Sequence, residues 1–176
     1  MIPPPSNIFL TGFMGAGKST VGRRLAQRLD YCFADLDQLI VAREGRSITE
    51  IFAIRGEGYF RDCEAAVLAG QAATERMVFA TGGGIVGREE NRAVMKRLGT
   101  VVYLRASWST LERRLARSSG RPLADPQQGW EKIRQLWHSR LPWYEEADLV
   151  IDTDQLTVPE VVRTIIARLG LKETVL

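Results

Sequence analysis

The sequence predicts an α/β fold in which a parallel β-sheet is flanked by helices. Short apolar segments alternate with segments of helical periodicity along the chain. A glycine-rich turn of the form G-x-x-x-x-G-K-S separates the first apolar segment from the first helical one. No linker or internal repeat divides the 176 residues, so we expect a single domain spanning 1–176.

The first strand, loop and helix predict a nucleotide site. Asn7–Thr11 is an apolar run expected to form a buried strand, and a helix is predicted over Thr20–Leu29. Between them, Gly12–Ser19 reads GFMGAGKS and matches the phosphate-binding loop at every fixed position. Backbone N–H groups and the helix dipole favour phosphate oxygens there, Lys18 adds a positive charge, and the Ser19 hydroxyl is placed for Mg²⁺. The chain is therefore expected to bind a nucleoside triphosphate.

Two aspartates follow the second predicted strand, Tyr31–Ala34. Residues i and i+2 of an extended chain point the same way, so we expect Asp35 and Asp37 to project into one crevice. Phosphoryl transfer needs a carboxylate near Mg²⁺ and a group that orients or deprotonates the attacking hydroxyl. The alternative is a loop aspartate that caps the next helix. The upstream phosphate-binding loop favours the catalytic interpretation.

Two helical segments come next, from Ile48 to about Arg55 and from Tyr59 to Ala73, and a capping box, Ser47–Glu50, opens the first. Arg61 and Glu64 share a face of the second segment because they are three residues apart. An arginine can bind a carboxylate in a planar two-bond fork, so Arg61, and Arg140 later in the chain, suit an acidic substrate. The alternative for each is an ordinary exposed arginine.

The third predicted strand, Val78–Thr81, leads into Gly82–Gly84, where glycines permit close approach of the backbone to a ligand. Together with Gly87, this run also matches the G-x-G-x-x-G dinucleotide fingerprint. That fingerprint requires an acid at the end of the next strand, where the chain has Leu104–Arg105. We therefore exclude a nicotinamide or flavin site.

The rest of the chain continues the alternation. The remaining predicted elements are helices 89–98, 109–117, 130–146 and 160–169, and strands 101–104 and 149–151. The turn-rich stretch from Ser118 to Gly129 interrupts this rhythm. Arg121 within it predicts a lid that closes over the phosphates, and a merely exposed loop is the alternative.

Composition excludes several classes of protein. No apolar run approaches a membrane span, so we expect no membrane association. Two cysteines are too few for a disulfide framework, which favours the cytoplasm. The net charge is +3, and five arginines lie between Arg105 and Arg121. A local cluster beside a phosphate-binding loop suits small anionic ligands, so nucleic acid is not an expected partner.

In this order the motifs resemble those of the shikimate kinase family, from about Asn7 to about Leu169. The resemblance rests on GFMGAGKST (12–20), DLD (35–37), FRDCE (60–64), GGG (82–84), RPL (121–123) and RLPWY (140–144). It implies a three-layer P-loop kinase fold with a five-stranded parallel sheet, a substrate-binding region at about 35–64 and a mobile lid at about 117–129. It also implies ATP-dependent phosphorylation of the shikimate 3-hydroxyl on the route to aromatic amino acids, by a monomer that uses one Mg²⁺ ion.

The resemblance also implies roles for individual residues. Catalysis would fall to Asp37, Lys18 and Arg121. Substrate would be bound by Asp37, Arg61, Gly82, Gly83, Gly84 and Arg140, with the two arginines on the carboxylate. ATP would be bound by Gly15, Ala16, Gly17, Lys18, Ser19, Thr20, Arg117 and Arg121, with Arg117 against the adenine. Mg²⁺ would be held by Ser19 and, through water, by Asp35.

Two features depart from the family pattern. The segment Arg117–Arg121 is shorter than in some relatives, and Trp143 stands where leucine is commoner.

The nearest rival is a kinase of the same architecture that acts on gluconate or a nucleoside monophosphate. A GTP switch is excluded because the chain lacks the guanine-reading motif and a downstream Asp-x-x-Gly. A catalytically silent relative would be expected to have lost Asp37, Lys18 or Arg121, and all three are present.

Overall fold

A five-stranded parallel β-sheet organises the chain in the computed structural model, which describes residues 6–117 and 129–173. Its strands are β1 (Asn7–Thr11), β2 (Cys32–Asp35), β3 (Met77–Ala80), β4 (Thr100–Arg105) and β5 (Leu149–Asp152). Their order across the sheet is β2-β3-β1-β4-β5, and every neighbouring pair is parallel. All five predicted strands and their parallel arrangement are confirmed.

The three inner strands explain why the sequence shows unbroken apolar runs. Ile8, Phe9 and Leu10 of β1 are completely buried, because a strand covered on both faces has no solvent side to mark with polar residues. Phe9 stacks on Phe79 of neighbouring β3, with ring centroids 4.9 Å apart. This dry centre gives the loops at the strand ends a rigid base.

Seven helices flank the sheet within the described residues: α1 (Lys18–Leu29), α2 (Leu36–Glu44), α3 (Ile48–Ala69), α4 (Glu89–Leu98), α5 (Trp108–Ala116), α6 (Trp130–Tyr144) and α7 (Val158–Arg168). A short 3₁₀ turn, Ile85–Gly87, precedes α4. None of these helices combines the length and apolar character needed to cross a membrane.

Two helical features differ from the sequence prediction. Helix α2 was not predicted; its buried residues are Leu36 and Ile40, too few to mark an apolar stripe. The two helical segments predicted before and after residue 56 are both present, but no loop separates them: they meet at Gly56, whose backbone is non-helical and forms a kink, and together they make up α3. The predicted capping box is present, with Ser47 and Glu50 each bonding the other's backbone N–H.

Strand order brings the predicted site segments together at one edge of the sheet. Since β3 lies directly between β2 and β1, the loops that follow these three strands are neighbours. Ligands of open parallel sheets bind beyond these C-terminal strand ends. The predicted lid, with Arg121, lies mostly in residues 118–128, outside the part of the chain that the structure describes.

Candidate active site

The loop between β1 and α1 adopts a phosphate-binding conformation. Gly12, Gly15 and Gly17 all have positive φ angles, of 144°, 81° and 93°. Residues with a side chain rarely take such angles, which explains the glycine at these positions. The Lys18 ammonium donates to the carbonyl oxygens of Gly12 and Phe13, at 2.8 and 3.0 Å, so it lies within the curve of the loop. The N-terminus of α1 and the Lys18 charge together form an anion site.

A hydroxyl and a carboxylate meet where Mg²⁺ was predicted. The Ser19 hydroxyl donates to Asp35 Oδ2 at 2.7 Å. Mg²⁺ prefers oxygen ligands and keeps several waters, so one or two protein groups beside bound phosphates suffice. No cluster of three or more acidic, histidine or cysteine ligands occurs among the described residues. The donor set at Ser19 and Asp35 therefore fits Mg²⁺ held jointly with a nucleotide.

The geometry expected for the aspartate pair was wrong in one respect. Asp35 ends β2, but Asp37 lies in the first turn of α2 rather than two residues along an extended strand. Asp35 also caps this helix, because its Oδ1 accepts from the Asp37 backbone N–H at 3.1 Å. Asp35 therefore does both things that the sequence left open: one oxygen caps the next helix, and the other accepts from Ser19. Asp37 therefore reaches the glycine run after β3 from a helix.

Glycine is required in the run after β3 because side chains from other elements occupy the space that a Cβ would fill. The Thr81 hydroxyl and backbone N–H both donate to Leu10 O, at 3.0 and 3.1 Å, which ties the start of the run to β1. A Cβ on Gly82 would lie 2.7 Å from Asp37 Oδ1 and 2.8 Å from Glu64 Oε1. Two carboxylates therefore press against the bare main chain of Gly82, and any side chain there would displace them.

Arg61 lies against the third glycine of the run. A Cβ on Gly84 would overlap its guanidinium group. Glu64 accepts from Nη1 at 2.5 Å on one edge of the group, and Glu57 accepts from Nη2 at 2.9 Å on the other. The guanidinium is thus held flat on the glycine main chain between two carboxylates. The spacing of Arg61 and Glu64 predicted a shared helix face, but neither the burial of Glu64 nor the contact of Glu57 with Arg61 was predicted.

Burial dominates the electrostatics of this group. Burial raises the pKa of the Glu64 carboxyl above its ordinary value of 4.5, and the facing Arg61 guanidinium opposes the rise. For Arg61, burial acts to lower the pKa, but the charge and hydrogen bonds of its acidic partners outweigh it and the pKa is raised. Glu64 Oε1 is buried and has no hydrogen-bond partner among the described residues. Arg61 therefore stays cationic in a polar pocket closed to bulk water on one side.

Helix α6 contributes the second predicted arginine. Arg140 is buried, 7% exposed, with its guanidinium carbon 5.9 Å from the centroid of the Phe13 ring in the phosphate-binding loop. One turn later, the Tyr144 hydroxyl donates to Gly83 O at 2.5 Å. Sequence analysis assigned no role to Tyr144, and a long-range bond of this kind leaves no local signal in a sequence.

The structure describes most of the residues predicted to bind ATP, but not Arg121. Arg114 of α5, to which sequence analysis assigned no role, donates to Gly15 O at 3.1 Å and so braces the phosphate-binding loop. Thr20 and Arg117 are exposed, the second at the C-terminal end of α5. Arg121 lies outside the described residues. His138, for which no role was predicted, is exposed.

Comparison with known proteins points to one family. A family model of shikimate kinase matches residues 14–170. The shikimate kinase of Chromobacterium violaceum is 49% identical over 156 residues, which cover 86% of this chain and 83% of that protein. The shikimate kinase of Thermodesulfovibrio yellowstonii is 42% identical over 160 residues, covering 91% and 92% of the two chains.

A solved structure agrees with the sequence relatives. Shikimate kinase from Acinetobacter baumannii, in complex with shikimate, is 37% identical to this chain and superposes with a TM-score of 0.89. The superposition covers 96% of this chain and 94% of the other. The likeness therefore spans the sheet, the phosphate-binding loop and the glycine run alike.

Proposed function

The chain belongs to the shikimate kinase family, and from this premise we propose that it transfers the γ-phosphoryl group of ATP to the 3-hydroxyl of shikimate. The product, 3-phosphoshikimate, lies on the route to aromatic amino acids. The observation that carries the proposal is the contact between the phosphate-binding loop and the glycine run after β3. A Cβ on Gly83 would lie 3.5 Å from both Gly12 O and Met14 N of the phosphate-binding loop. An acceptor held on the glycine run would therefore meet the nucleotide phosphates directly.

The acceptor pocket has the charges that shikimate requires. Arg61 and Arg140 are two cations in a partly or fully buried setting, suited to a carboxylate that must leave water. The backbone of Gly83 lies between their helices and supplies a further contact to the acceptor. Asp37, whose carboxylate faces Gly82, is offered to the acceptor hydroxyls. The arginines would bind the acceptor carboxylate and Asp37 its hydroxyls, and these contacts together would orient the molecule.

Transfer then depends on position and electrostatics. Holding the hydroxyl beside the γ-phosphate turns a two-molecule reaction into one within a complex. Asp37 orients the hydroxyl or takes its proton as the hydroxyl oxygen bonds to the γ-phosphorus. The bond from that phosphorus to the β-phosphate oxygen breaks at the same time, and ADP leaves. Lys18 neutralises charge on the phosphoryl oxygens, and we assign the same task to Arg121 of the lid. Ser19 and, through water, Asp35 would hold Mg²⁺, which would supply further positive charge to the ATP phosphates.

The role of Asp37 makes a first testable prediction. We expect Asp37→Asn to fold and to bind ATP normally, because the residue lies outside the phosphate-binding loop. Transfer should fall by at least about 10²-fold, since the amide cannot accept the proton and orients the hydroxyl less well. Quenched-flow measurement of 3-phosphoshikimate tests this, with ATP affinity as the internal control. Retained turnover would remove Asp37 from the catalytic residues.

Further expectations belong to the same proposal. Arg117 is expected to lie against the adenine, and Thr20 to support the ATP phosphates. The molecule is expected to act as a monomer in the cytoplasm, without nucleic acid or membrane as a partner. Both cysteines are free thiols, Cys32 exposed and Cys63 buried, which agrees with a reducing compartment.

The proposed function is tested by measuring ADP release from Mg-ATP with a panel of acceptors. The panel contains shikimate, gluconate, nucleoside monophosphates and water alone, and phosphorus NMR identifies the product. We expect turnover with shikimate alone and a phosphomonoester at its 3-position. Turnover with another acceptor, or silence with shikimate while ATP still binds, would refute the substrate assignment and leave the nucleotide site intact.

A further inference from the structure

The Tyr144 hydroxyl touches two segments that the proposed function assigns to the acceptor. It donates to the carbonyl oxygen of Gly83 at 2.5 Å. Arg140, four residues earlier on α6, faces the same hydroxyl. Residues at i and i+4 share a helix face, so the arginine and the tyrosine enter the pocket side by side. One oxygen atom thus connects the main chain of the glycine run with the second predicted carboxylate-binding arginine.

Tyr144 is itself fixed from behind. Its ring stacks on Tyr103, with centroids 5.0 Å apart and planes 16° from parallel. Tyr103 lies on β4 opposite Thr11, the last residue of β1 before the phosphate-binding loop. Tyr144 is 1% exposed, so bulk water does not compete with the Gly83 carbonyl for its hydroxyl. The sheet therefore holds the ring, and the ring holds the glycine carbonyl.

The chemistry of the hydroxyl suits a permanent donor. Burial raises the pKa of Tyr144 well above its ordinary value of 10.0, and the positive charge of Arg140 opposes the rise. The group therefore remains a protonated donor at neutral pH. The Gly83 carbonyl belongs to the peptide plane that joins Gly83 to Gly84, so the bond from Tyr144 fixes the orientation of that plane. Glycine has no side chain of its own that could restrain it.

We propose that Tyr144 is a positioning residue for the acceptor carboxylate, which acts by locking the Gly83 main chain and the Arg140 guanidinium in their binding arrangement. The inference rests on the proposed function, because it requires an acceptor carboxylate at Arg61, Gly83 and Arg140. Tyr144 touches neither the nucleotide nor the transferred group in this arrangement. Its loss should therefore affect the binding of the carboxylate and leave the use of ATP unchanged.

The test compares two acceptors in two matched variants. Tyr144→Phe removes the hydroxyl and keeps the stacked ring. Tyr103→Phe removes the partner hydroxyl from the same stack, and within the described residues that hydroxyl makes no bond to the glycine run. For each protein kcat/KM is measured with shikimate and with shikimate methyl ester, which keeps the 3-hydroxyl but lacks the negative charge. The ratio of the two values is independent of the fraction of active enzyme, so partial misfolding cannot imitate the effect.

We expect Tyr144→Phe to lower kcat/KM for shikimate by roughly tenfold, as for loss of a buried hydrogen bond. The loss should appear in the KM for shikimate, with little change for the methyl ester, in the KM for ATP or in kcat. Tyr103→Phe should resemble the wild type. Equal losses on both acceptors, or no loss, would overturn the inference. If the wild type itself treats acid and ester alike, the carboxylate site of the proposed function is wrong and the inference falls with it.

Discussion

At the scale of single residues, the pocket depends on glycines that other side chains press against. Gly82 faces two carboxylates and Gly84 faces a guanidinium, and neither contact leaves room for a methyl group. The sequence showed the three glycines and predicted close approach of a ligand, but not that protein side chains make this approach first. That property depends on how α3 crosses the end of β3, which no local pattern records.

Gly84→Ala tests this crowding. The added Cβ would overlap the Arg61 guanidinium, which is the far end of a flexible side chain. We therefore expect the arginine to move and the fold to survive. The KM for shikimate should rise by about tenfold or more, as for loss of a charged hydrogen bond, while the KM for ATP stays unchanged.

Gly87→Ala is the matched control. Its Cβ would meet Trp143 at 3.6 Å, an ordinary contact distance, on the same segment of chain. This variant should keep wild-type kinetics. If both variants behave alike, crowding of Arg61 is not the reason for glycine at position 84.

Glu57 makes a second prediction at this scale. It occupies the outer edge of the Arg61 guanidinium, and its own side chain is 65% exposed. An acceptor carboxylate needs that same planar edge, so the two anions compete for it. Glu57→Gln should tighten shikimate binding by about two- to fivefold, in keeping with the small free energy of an exposed ion pair.

Asp62→Asn serves as the control for Glu57→Gln. It also removes one negative charge from α3, but Asp62 pairs with Arg88 instead of Arg61. Calorimetric titration with shikimate compares the two variants with the wild type. Weaker binding in Glu57→Gln would mean that Glu57 orients Arg61 rather than competing with the acceptor.

At the scale of elements, the backbone of α3 is broken at one point that matters for Arg61. Gly56 has φ 80° and ψ 174°, a conformation that is almost confined to glycine. Gly56→Ala should cost roughly 1–3 kcal/mol and lower Tm by about 3–10 °C. It should also shift the half of α3 that carries Arg61, and so raise the KM for shikimate.

The control for the kink lies two residues away. Gly58 is also in α3, it has no positive φ, and a Cβ there would meet nothing within 4 Å. Alanine at this position should keep or raise Tm, because alanine favours helix over glycine. A differential scanning calorimetry trace that shows equal losses for both variants would contradict a special role for the kink.

Elements differed in how far they could be predicted. The inner strands β1, β3 and β4 were predictable because burial on both faces makes them short apolar runs between polar segments. The edge strands β2 and β5 are less buried, and they were predicted from short apolar stretches between helical segments. Helix α2 was missed because few of its residues are buried. For the same reason Asp37 was expected on an extended chain, whereas it lies in the first turn of α2. The partners of Arg61 and the bond from Tyr144 to Gly83 arise from contacts between distant segments, and a single sequence carries no signal for them.

At the scale of the whole molecule, an ion pair between β4 and β5 contributes to the dependence of stability on pH. The Arg105 guanidinium donates to both oxygens of Asp152 across β4 and β5, and the bond from Arg105 lowers the pKa of Asp152 from its ordinary value of 3.8. A lowered pKa means that the stabilisation is present above the unfolded-state value. It is lost as pH falls through the lower value of the folded protein.

Asp152→Asn should therefore reduce the urea midpoint at neutral pH. The difference from the wild type should stay constant down to about pH 5 and shrink below about pH 4, where the wild-type carboxylate also becomes protonated. Urea titrations across this range test the sign. A difference that is the same at neutral and acidic pH would mean that the charge of Asp152 does not contribute.

The central claim is that one edge of the sheet holds shikimate and ATP face to face, with Asp37 at the 3-hydroxyl. It is tested most directly by a crystal structure with shikimate, Mg²⁺ and a non-hydrolysable ATP analogue. We expect the shikimate carboxylate on Arg61 and Arg140, and the 3-hydroxyl within about 3 Å of Asp37 and turned towards the γ-phosphate. A carboxylate bound elsewhere, or another hydroxyl facing the phosphate, would contradict the account.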